Sequence, residues 1–197
     1  MYIFGASGHG KVVFDVLTSK GTSVTGFIDD NPNITEFCGK SVASNHIPQE
    51  LIIAIGDNKI RKKISNLFPD AHFCIAIDAN AIVAEKVTIG KGTVIMPAAV
   101  ANRDVVIGNH VIINTNCTVE HDGTIGDYAH ISPGSTLCGN VTIGEGTHIG
   151  ANATVLPGVV IGKWCNIGAG TVVLKDIPDF STVVGNPGRI IKTHNET

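Results

Sequence analysis

The stretch VVIGNHVIINTNCTVEHDGTIGDYAHISPGSTLCGNVTIGEGTHIG, residues 105–150, carries an aliphatic residue at every sixth position. The same step of six extends from Val83 to Val173 and covers sixteen positions, fifteen of which are Val, Ile or Leu. The exception is Ala101, and no insertion interrupts the count. A step of six fits neither the 3.6-residue period of a helix nor the 3.5-residue period of a coiled coil, so an amphipathic helix is excluded.

Two further regularities group these hexads. Small or β-branched residues stand four positions after the aliphatic ones, from Thr93 to Thr171. Glycines follow the aliphatic residue at an interval of 18 residues, at positions 90, 108, 126, 144 and 162. Three hexads therefore make one coil, which predicts a parallel β-solenoid with a triangular cross-section and sides of roughly 20 Å.

The size of the coil decides where a functional site can lie. From Val83 to Leu174 the hexads make about five coils. Because aliphatic side chains fill the interior, any site must lie on the outer faces. A flat face binds little unless a second prism closes a groove, and a cyclic homo-oligomer supplies that second prism economically.

The composition changes near residue 80, which favours two domains. We expect residues 1–80 to form an α/β domain with a Rossmann-like βαβ unit. We expect residues 81–197 to form an all-β parallel helix of about five coils with a C-terminal tail.

Charge and hydropathy exclude several classes of protein. The chain has 14 Lys and Arg against 17 Asp and Glu, and its one basic cluster is Arg61-Lys62-Lys63, which does not favour nucleic-acid binding. No apolar run approaches the roughly 20 residues of a membrane span, and the N-terminus lacks the features of a signal peptide. With five cysteines, two of them at the inward positions 117 and 165, we expect a cytoplasmic protein without disulfides.

The N-terminal residues predict strand, Gly-rich turn and helix. An apolar strand over residues 1–4 is followed by GASGHG, residues 5–10, and by helical spacing over residues 11–17. Such a turn lets the backbone approach a phosphate at the positive end of the helix. Strands over 24–28 and 51–55 end at Asp29-Asp30 and at Gly56, so that three strand ends would converge on one crevice. The alternative is that the glycines only permit tight turns.

A polar cluster interrupts the repeat at residues 114–122. His121 follows the inward Val119 by two positions, so it projects from a face or corner. A neighbouring carboxylate, Asp122 or Glu120, could orient its imidazole as a general base requires. His130 follows half a coil later. The spacing of the solenoid histidines does not require a zinc site, so we expect no metal. For any single surface histidine, the alternative to catalysis is a purely structural role.

Four motifs resemble those of the bacterial sugar O/N-acyltransferases over nearly the whole chain. They are GASGHG (5–10), AIGDNKIRKK (54–63), VEHDGTIGDYAHISPG (119–134) and VVGNPGRII (183–191). This family includes the N-acetyltransferases of UDP-4-amino-sugars in bacillosamine synthesis and the sialic acid O-acetyltransferases. The resemblance implies a left-handed β-helix, a homotrimer with active sites between subunits, and acetyl-CoA bound between adjacent prisms.

The resemblance also implies roles for individual residues. His121 matches the general base, Asp122 its acidic partner, and Asn114 an asparagine of the active-site neighbourhood. His130 matches a histidine that contacts acetyl-CoA. Gly139, Ala151 and Ala169 match positions where the family uses backbone groups along the coenzyme, and Gly139 is also a candidate oxyanion donor. The nucleotide-sugar contacts match Ser7, Gly8, His9, Asp29, Asp30 and Gly56.

We therefore expect an acetyl-CoA-dependent N-acetyltransferase that acts on a nucleotide-linked amino sugar, specifically a UDP-4-amino-4,6-dideoxy sugar. Three alternatives stay open. The chain could be an O-acetyltransferase of sialic acid or another sugar hydroxyl, which needs the same base. It could be a non-catalytic nucleotide-sugar-binding scaffold, or a metal-dependent hydratase.

Overall fold

The computed structural model describes residues 1–44 and 46–194. The N-terminal part contains a six-stranded sheet in the order β3-β4-β2-β1-β5-β6. Its elements are β1 (Tyr2–Phe4), α1 (Gly8–Ser19), β2 (Gly26–Ile28), β3 (Glu36–Phe37), β4 (Lys40–Ala43), β5 (Glu50–Ile53), α2 (Asn58–Leu67) and β6 (His72–Phe73).

Strand β1 lies at the centre of this sheet. It pairs in parallel with β2 on one side and with β5 on the other, and α1 makes the crossover between β1 and β2. The predicted βαβ unit is therefore present. Helix α1 begins at Gly8, three residues before the expected start at Lys11, because the Gly-rich segment itself forms the first turn after the N-cap Ser7.

The rest of the chain winds into short strands. In chain order they are β7 (Ala76–Ile77), β8 (Ile82–Val83), β9 (Thr88–Ile89), β10 (Val94–Ile95), β11 (Val100–Ala101), β12 (Val106–Ile107), β13 (Ile112–Ile113), β14 (Thr118–Val119), β15 (Thr124–Ile125), β16 (His130–Ile131), β17 (Thr136–Leu137), β18 (Thr142–Ile143), β19 (His148–Ile149), β20 (Thr154–Val155), β21 (Val160–Ile161), β22 (Asn166–Ile167), β23 (Val172–Val173), β24 (Ser181–Val184) and β25 (Arg189–Thr193).

These strands form the three faces of a parallel β-solenoid of the left-handed β-helix type. The first face contains β7, β10, β13, β16, β19, β22 and β24, with β25 added antiparallel to β24. The second face contains β8, β11, β14, β17, β20 and β23, and the third contains β9, β12, β15, β18 and β21. In a triangular prism, the corner between the second and third faces lies opposite the first face.

The predicted number of five coils is wrong. The three faces hold eight, six and five strands, so the stack is taller than the counted repeats. It begins with Ile77, one step of six before Val83, and β24 extends the first face after the regular spacing has ended.

Both inward sets of residues are buried as predicted. The aliphatic positions from Ile95 to Val173 are 2% exposed or less, and the small positions, including Cys117 and Cys165, fill the remaining interior. The prism is therefore a solid core, and its chemistry lies on its outer surface.

The first face is covered by the N-terminal part at one end. Val94, Met96 and Ile112 share a buried cluster with Ile3 and Val13 of β1 and α1.

Within the described part of the chain, no helix is both long enough and apolar enough to cross a membrane.

Candidate active site

His121 and Asp122 lie at the turn between β14 and β15, on the corner between the second and third faces. His121 Nδ1 is 2.7 Å from Asp122 Oδ2, and the two side chains are 64% and 60% exposed. Asp122 reaches this position with φ of 61°, a left-handed conformation that aspartate tolerates better than most residues. The N–H at Nδ1 donates to the carboxylate, so Nε2 is left as the free acceptor.

The hydrogen bond to Asp122 raises the pKa of His121, and the negative charges of Asp122 and Glu120 add to the effect. Of the two candidate carboxylates, only Asp122 contacts the imidazole. Glu120 instead accepts a hydrogen bond from Asn102 Nδ2 at 2.9 Å. The geometry is that of an oriented and strengthened base.

Gly139 lies one coil beyond His121 on the same corner. A Cβ atom at this position would come within 2.7 Å of His121 Cε1 and 2.8 Å of Nε2. Any side chain at residue 139 would therefore displace the imidazole, and glycine lets the ring lie against the backbone.

The backbone N–H groups of Gly139, Ala151 and Ala169 occupy the same turn position, two residues after an inward aliphatic residue. At equivalent turns, the N–H groups of Lys91, Asn109 and Lys163 donate to an Asn or Asp side chain of the following coil. The chain offers no such side chain to the three predicted coenzyme-binding residues, and within the described part of the chain their N–H groups donate to no acceptor. They remain available to a ligand.

The carboxyl ends of β1, β2 and β5 lie at one edge of the sheet, since all three strands run in the same direction, and we call the space beside this edge the crevice. Gly5 has φ of 112°, and a Cβ atom on Gly10 would lie 2.1 Å from the Gly5 carbonyl oxygen, so these two glycines are required by the turn and by helix packing. Gly8 and Gly56 have no atom within 4 Å of a Cβ position and face open space. The tight-turn interpretation thus explains only part of the motif.

Asp29 and Asp30 follow β2 at this edge but differ in their contacts. The Asp29 carboxylate accepts hydrogen bonds from the N–H groups of Ala6 at 2.8 Å and Asn31 at 2.9 Å, which fixes the Gly-rich turn. Asp30 is exposed at the mouth of the crevice. Ser7 is the N-cap of α1, and its side chain makes no capping bond. Among the described residues, its hydroxyl and the first N–H groups of the helix therefore stay available at the crevice.

Two histidines of the first face, His130 and His148, lie next to this crevice, since His130 bonds to the Gly56 backbone. The rings of His130 and His148 stack with centroids 5.0 Å apart. Asn114 Nδ2 donates to His130 Nε2 at 3.0 Å, and the same arrangement recurs one coil on, where Ser132 Oγ lies 2.7 Å from His148 Nε2. Asn114 therefore contacts His130 rather than His121.

The crevice keeps its histidines neutral. Burial, and then the nearby charges of His148, Arg61 and His9, lower the pKa of His130 to about 3, although a hydrogen bond to the Gly56 backbone opposes the shift. Burial and Arg61 lower the pKa of His9 to about 4. His9 Nε2 is buried and has no hydrogen-bond partner within the described residues, as expected of a group that awaits a ligand.

Arg61 of α2 holds the crevice onto the prism. Its side chain is 1% exposed, and its guanidinium donates to backbone carbonyls of both parts of the chain. The acceptors are the carbonyl oxygens of His110, Ile55, Gly56, Tyr128 and Ala129, and Asn58 Oδ1. Burial lowers its pKa to about 10, so it still carries its charge at neutral pH.

The structure therefore separates the predicted residues into distinct places. His121, Asp122 and Gly139 share one corner, whereas Ala151 and Ala169 lie on the corner between the first and second faces. Ser7, Gly8, His9, Asp29, Asp30 and Gly56 line the crevice, together with Asn114 and His130. In the protomer His130 lies on the first face beside the crevice, and its contact with acetyl-CoA stays a prediction.

The sequence did not single out Arg61, Ser132 or His148 as members of the site. Arg61 belongs to a basic triplet that resembles an exposed surface. The pairs 114–130 and 132–148 repeat at a separation of 16 residues, and this repetition could have revealed Ser132 and His148.

Two family models match the chain. "PglD N-terminal domain" covers residues 1–68, and "Bacterial transferase hexapeptide (six repeats)" covers residues 140–175.

Among curated proteins, the UDP-N-acetylbacillosamine N-acetyltransferase of Bacillus subtilis is 40% identical over 108 residues, which is 48% of this chain and 50% of that protein. An uncharacterized mimivirus protein, L142, is 32% identical over 101 residues, or 21% of its length. The chain thus spans half or less of the curated relatives that it matches.

Solved structures match over almost the whole chain. PerB from Caulobacter crescentus, in complex with CoA and GDP-perosamine, is 35% identical with a TM-score of 0.92, and the match covers 97% of this chain and 96% of that one. The acetyltransferase domain of PglB from Neisseria gonorrhoeae, in complex with acetyl coenzyme A, is 34% identical with a TM-score of 0.90, covering 96% and 98%.

Proposed function

This chain belongs to the family of hexapeptide-repeat sugar N-acetyltransferases, and on that premise we propose that it transfers an acetyl group from acetyl-CoA to the amine of a nucleotide-linked amino sugar. The observation that carries the proposal is the His121–Asp122 pair, 2.7 Å apart, whose imidazole lies against the backbone of Gly139. Among the described residues, the Gly139 N–H donates to no acceptor. A base and an oxyanion donor are the two groups that acyl transfer to an amine requires.

Direct transfer follows from this arrangement. His121 Nε2 accepts a proton as the sugar nitrogen attacks the acetyl carbonyl, and Asp122 stabilises the imidazolium. The Gly139 N–H holds the oxyanion of the tetrahedral intermediate. When the carbon–sulfur bond breaks, the proton on His121 passes to the departing thiolate, so the base returns to its starting state.

The crevice supplies the acceptor site. Gly8 and Gly56 leave room for a ligand, the N-terminus of α1 presents N–H groups to a diphosphate, and Asp30 and His9 offer an exposed carboxylate and an unpaired ring nitrogen. We take a UDP-4-amino-4,6-dideoxy sugar as the first acceptor to test. GDP-linked amino sugars form the second class, because PerB was solved with GDP-perosamine.

The positions of the two half-sites favour a homotrimer with composite active sites. The crevice covers the first face, whereas His121 lies on the opposite corner, so the solid prism stands between them. Each face is roughly 20 Å wide, so an acceptor in the crevice cannot turn to its own His121. A cyclic assembly brings the corner of one protomer against the first face of the next.

A cytoplasmic location is part of the proposal. All five cysteines are free, including the exposed Cys38, as is usual for proteins of a reducing compartment.

The activity is tested by acetyl-CoA-dependent release of CoA thiol with UDP- and GDP-linked 4-amino sugars and with CMP-sialic acid as acceptors. A thermal-shift series with UDP, GDP, CMP and acetyl-CoA reports binding separately, because a ligand of the native state raises its stability. We expect turnover with an amino sugar and a shift with its nucleotide. Turnover only with a sugar hydroxyl would establish an O-acetyltransferase, and binding without turnover would establish a scaffold.

A further inference from the structure

A second group of chemically active side chains lies at the outer edge of the N-terminal sheet, away from the crevice. Glu50, His72 and Cys74 each offer one potential ligand atom, and these atoms lie within 4.8 Å of one another. A carboxylate oxygen, an imidazole nitrogen and a thiol sulfur are the donor types that bind zinc in proteins.

The backbone places the three side chains together. Glu50 and His72 are direct partners in the parallel pairing of β5 with β6. His72 and Cys74 are two residues apart in an extended segment, so their side chains share one side of it. Phe73 between them points the other way, is 4% exposed and packs edge-on against the ring of His110.

The backbone at this edge is held firmly. The N–H of His72 donates to the Gln49 carbonyl at 2.8 Å, and the N–H of Cys74 donates to the Leu51 carbonyl at 2.9 Å. Two of the three potential metal ligands therefore belong to a short segment that is hydrogen-bonded, on both sides of Phe73, to the carbonyl groups of Gln49 and Leu51.

The separations suit a tetrahedral metal. Cys74 Sγ lies 3.8 Å from His72 Nδ1, and ligands with bonds of about 2.3 Å for sulfur and about 2.0 Å for nitrogen stand roughly 3.6 Å apart on tetrahedral zinc. The Glu50 side chain is 56% exposed and can rotate into place. Its Oε2 lies 3.8 Å from the α-amino group of Met1, so a bound cation would replace that ion pair.

We propose that Glu50, His72 and Cys74 form a binding site for a divalent transition metal of the zinc class, with water in the fourth position. The thiol proton passes to solvent when the metal–sulfur bond forms. Because Glu50 begins β5 while the crevice lies at its carboxyl end, the metal takes no part in acetyl transfer. It links Cys74, which leads from β6 toward the prism, to Glu50 at the start of β5.

Metal-free protein titrated with zinc chloride in a calorimeter tests this site directly. We expect one equivalent to bind with a dissociation constant of about 1 µM or lower, and zinc to raise the melting temperature. Cobalt(II) in place of zinc should give the thiolate-to-metal charge-transfer absorption that requires a sulfur ligand.

Matched variants distinguish this site from adventitious binding. Cys74→Ser and His72→Asn should each weaken zinc affinity about tenfold or more, and Cys74→Ser should abolish the cobalt charge-transfer band. Cys38→Ser, which removes an exposed thiol elsewhere, should change neither. No binding in this range, or binding that survives both ligand substitutions, would overturn the proposal, and either result leaves the acetyltransferase assignment untouched.

Discussion

At the scale of single residues, the candidate site depends on two neighbours in the chain and one residue a coil away. His121 is exposed, and the Asp122 carboxylate orients its ring and raises its pKa by accepting a hydrogen bond from it. Gly139 contributes by lacking a side chain, since a Cβ atom there would occupy the space of the imidazole.

Asp122→Asn should change the pH dependence of the reaction. His121 must be neutral to act as a base, so with its raised pKa kcat/KM falls as the pH drops through a value above the ordinary one of about 6.5. Without the carboxylate the pKa falls, so this acidic limb should move to lower pH while the plateau rate drops, because the base is weaker.

A pH profile of kcat/KM checks this prediction. Asp104→Asn is the matched control, since Asp104 holds the equivalent left-handed turn position one coil earlier and pairs with Arg103 instead. An acidic limb that stays in place in Asp122→Asn would refute the role of Asp122.

Gly139→Ala should act through His121. The added methyl group displaces the ring, so we expect kcat to fall about tenfold or more, with little change in stability, because φ at residue 139 is not positive. Steady-state kinetics in a double-mutant cycle checks the cause: in a His121→Ala background the same substitution should cost almost nothing further. Additive losses would mean that Gly139 acts independently of the imidazole.

At the scale of elements, the important junction is that of α2 with the corner between the third and first faces. The Arg61 guanidinium stabilises this junction by donating hydrogen bonds to the carbonyl groups of Gly56 in the crevice loop and of the turns at His110 and Tyr128. Lys62 supports the same contact by its ion pair with Glu145 and by lying over the rings of Tyr128 and Trp164.

Arg61→Met should therefore loosen the docking of the N-terminal part. It leaves several buried carbonyl groups without their donor, which we expect to lower the free energy of unfolding by about 2–4 kcal/mol. Lys63→Met, an exposed neighbour on the same helix, should stay within about 0.5 kcal/mol of the parent. Urea unfolding of both variants checks the prediction, and equal stabilities would contradict it.

The elements that the sequence predicts are those with a local signal. The step of six identifies the inward residues because each short strand turns the residues at the same positions of the repeat toward the core. The coil count is too low because β7 precedes the counted repeats and because β24 follows an irregular segment, residues 174–180, that the step does not cross. The pairing of His121 with Asp122 is predictable because the residues are adjacent, whereas the contacts of Arg61 with Tyr128 and Ala129 span 67 and 68 residues and leave no local trace.

At the scale of the whole molecule, the prism sets the separation between the two proposed half-sites. The proposed acceptor crevice and the proposed base, His121, lie on opposite sides of a solid column, and the free backbone donors lie on two different corners. We therefore expect the base of one protomer to serve the acceptor held by its neighbour in a trimer.

Two variants, each disabled in one half-site, test this claim. His121→Ala removes the base and should lower turnover about 100-fold or more. Gly8→Tyr fills the crevice from a position with open space around it, so it should block the acceptor without disturbing the fold. Gly8→Ala, with a side chain too small to fill the crevice, is the control.

The decisive measurement is the activity of mixed trimers assembled from equal amounts of His121→Ala and Gly8→Tyr chains. If the base and the crevice come from different protomers, about one quarter of the sites combine an intact base with an intact crevice. We expect recovery of about that fraction of parental CoA release. Activity no greater than that of the two variants alone would show that each site is built within a single protomer and would contradict it.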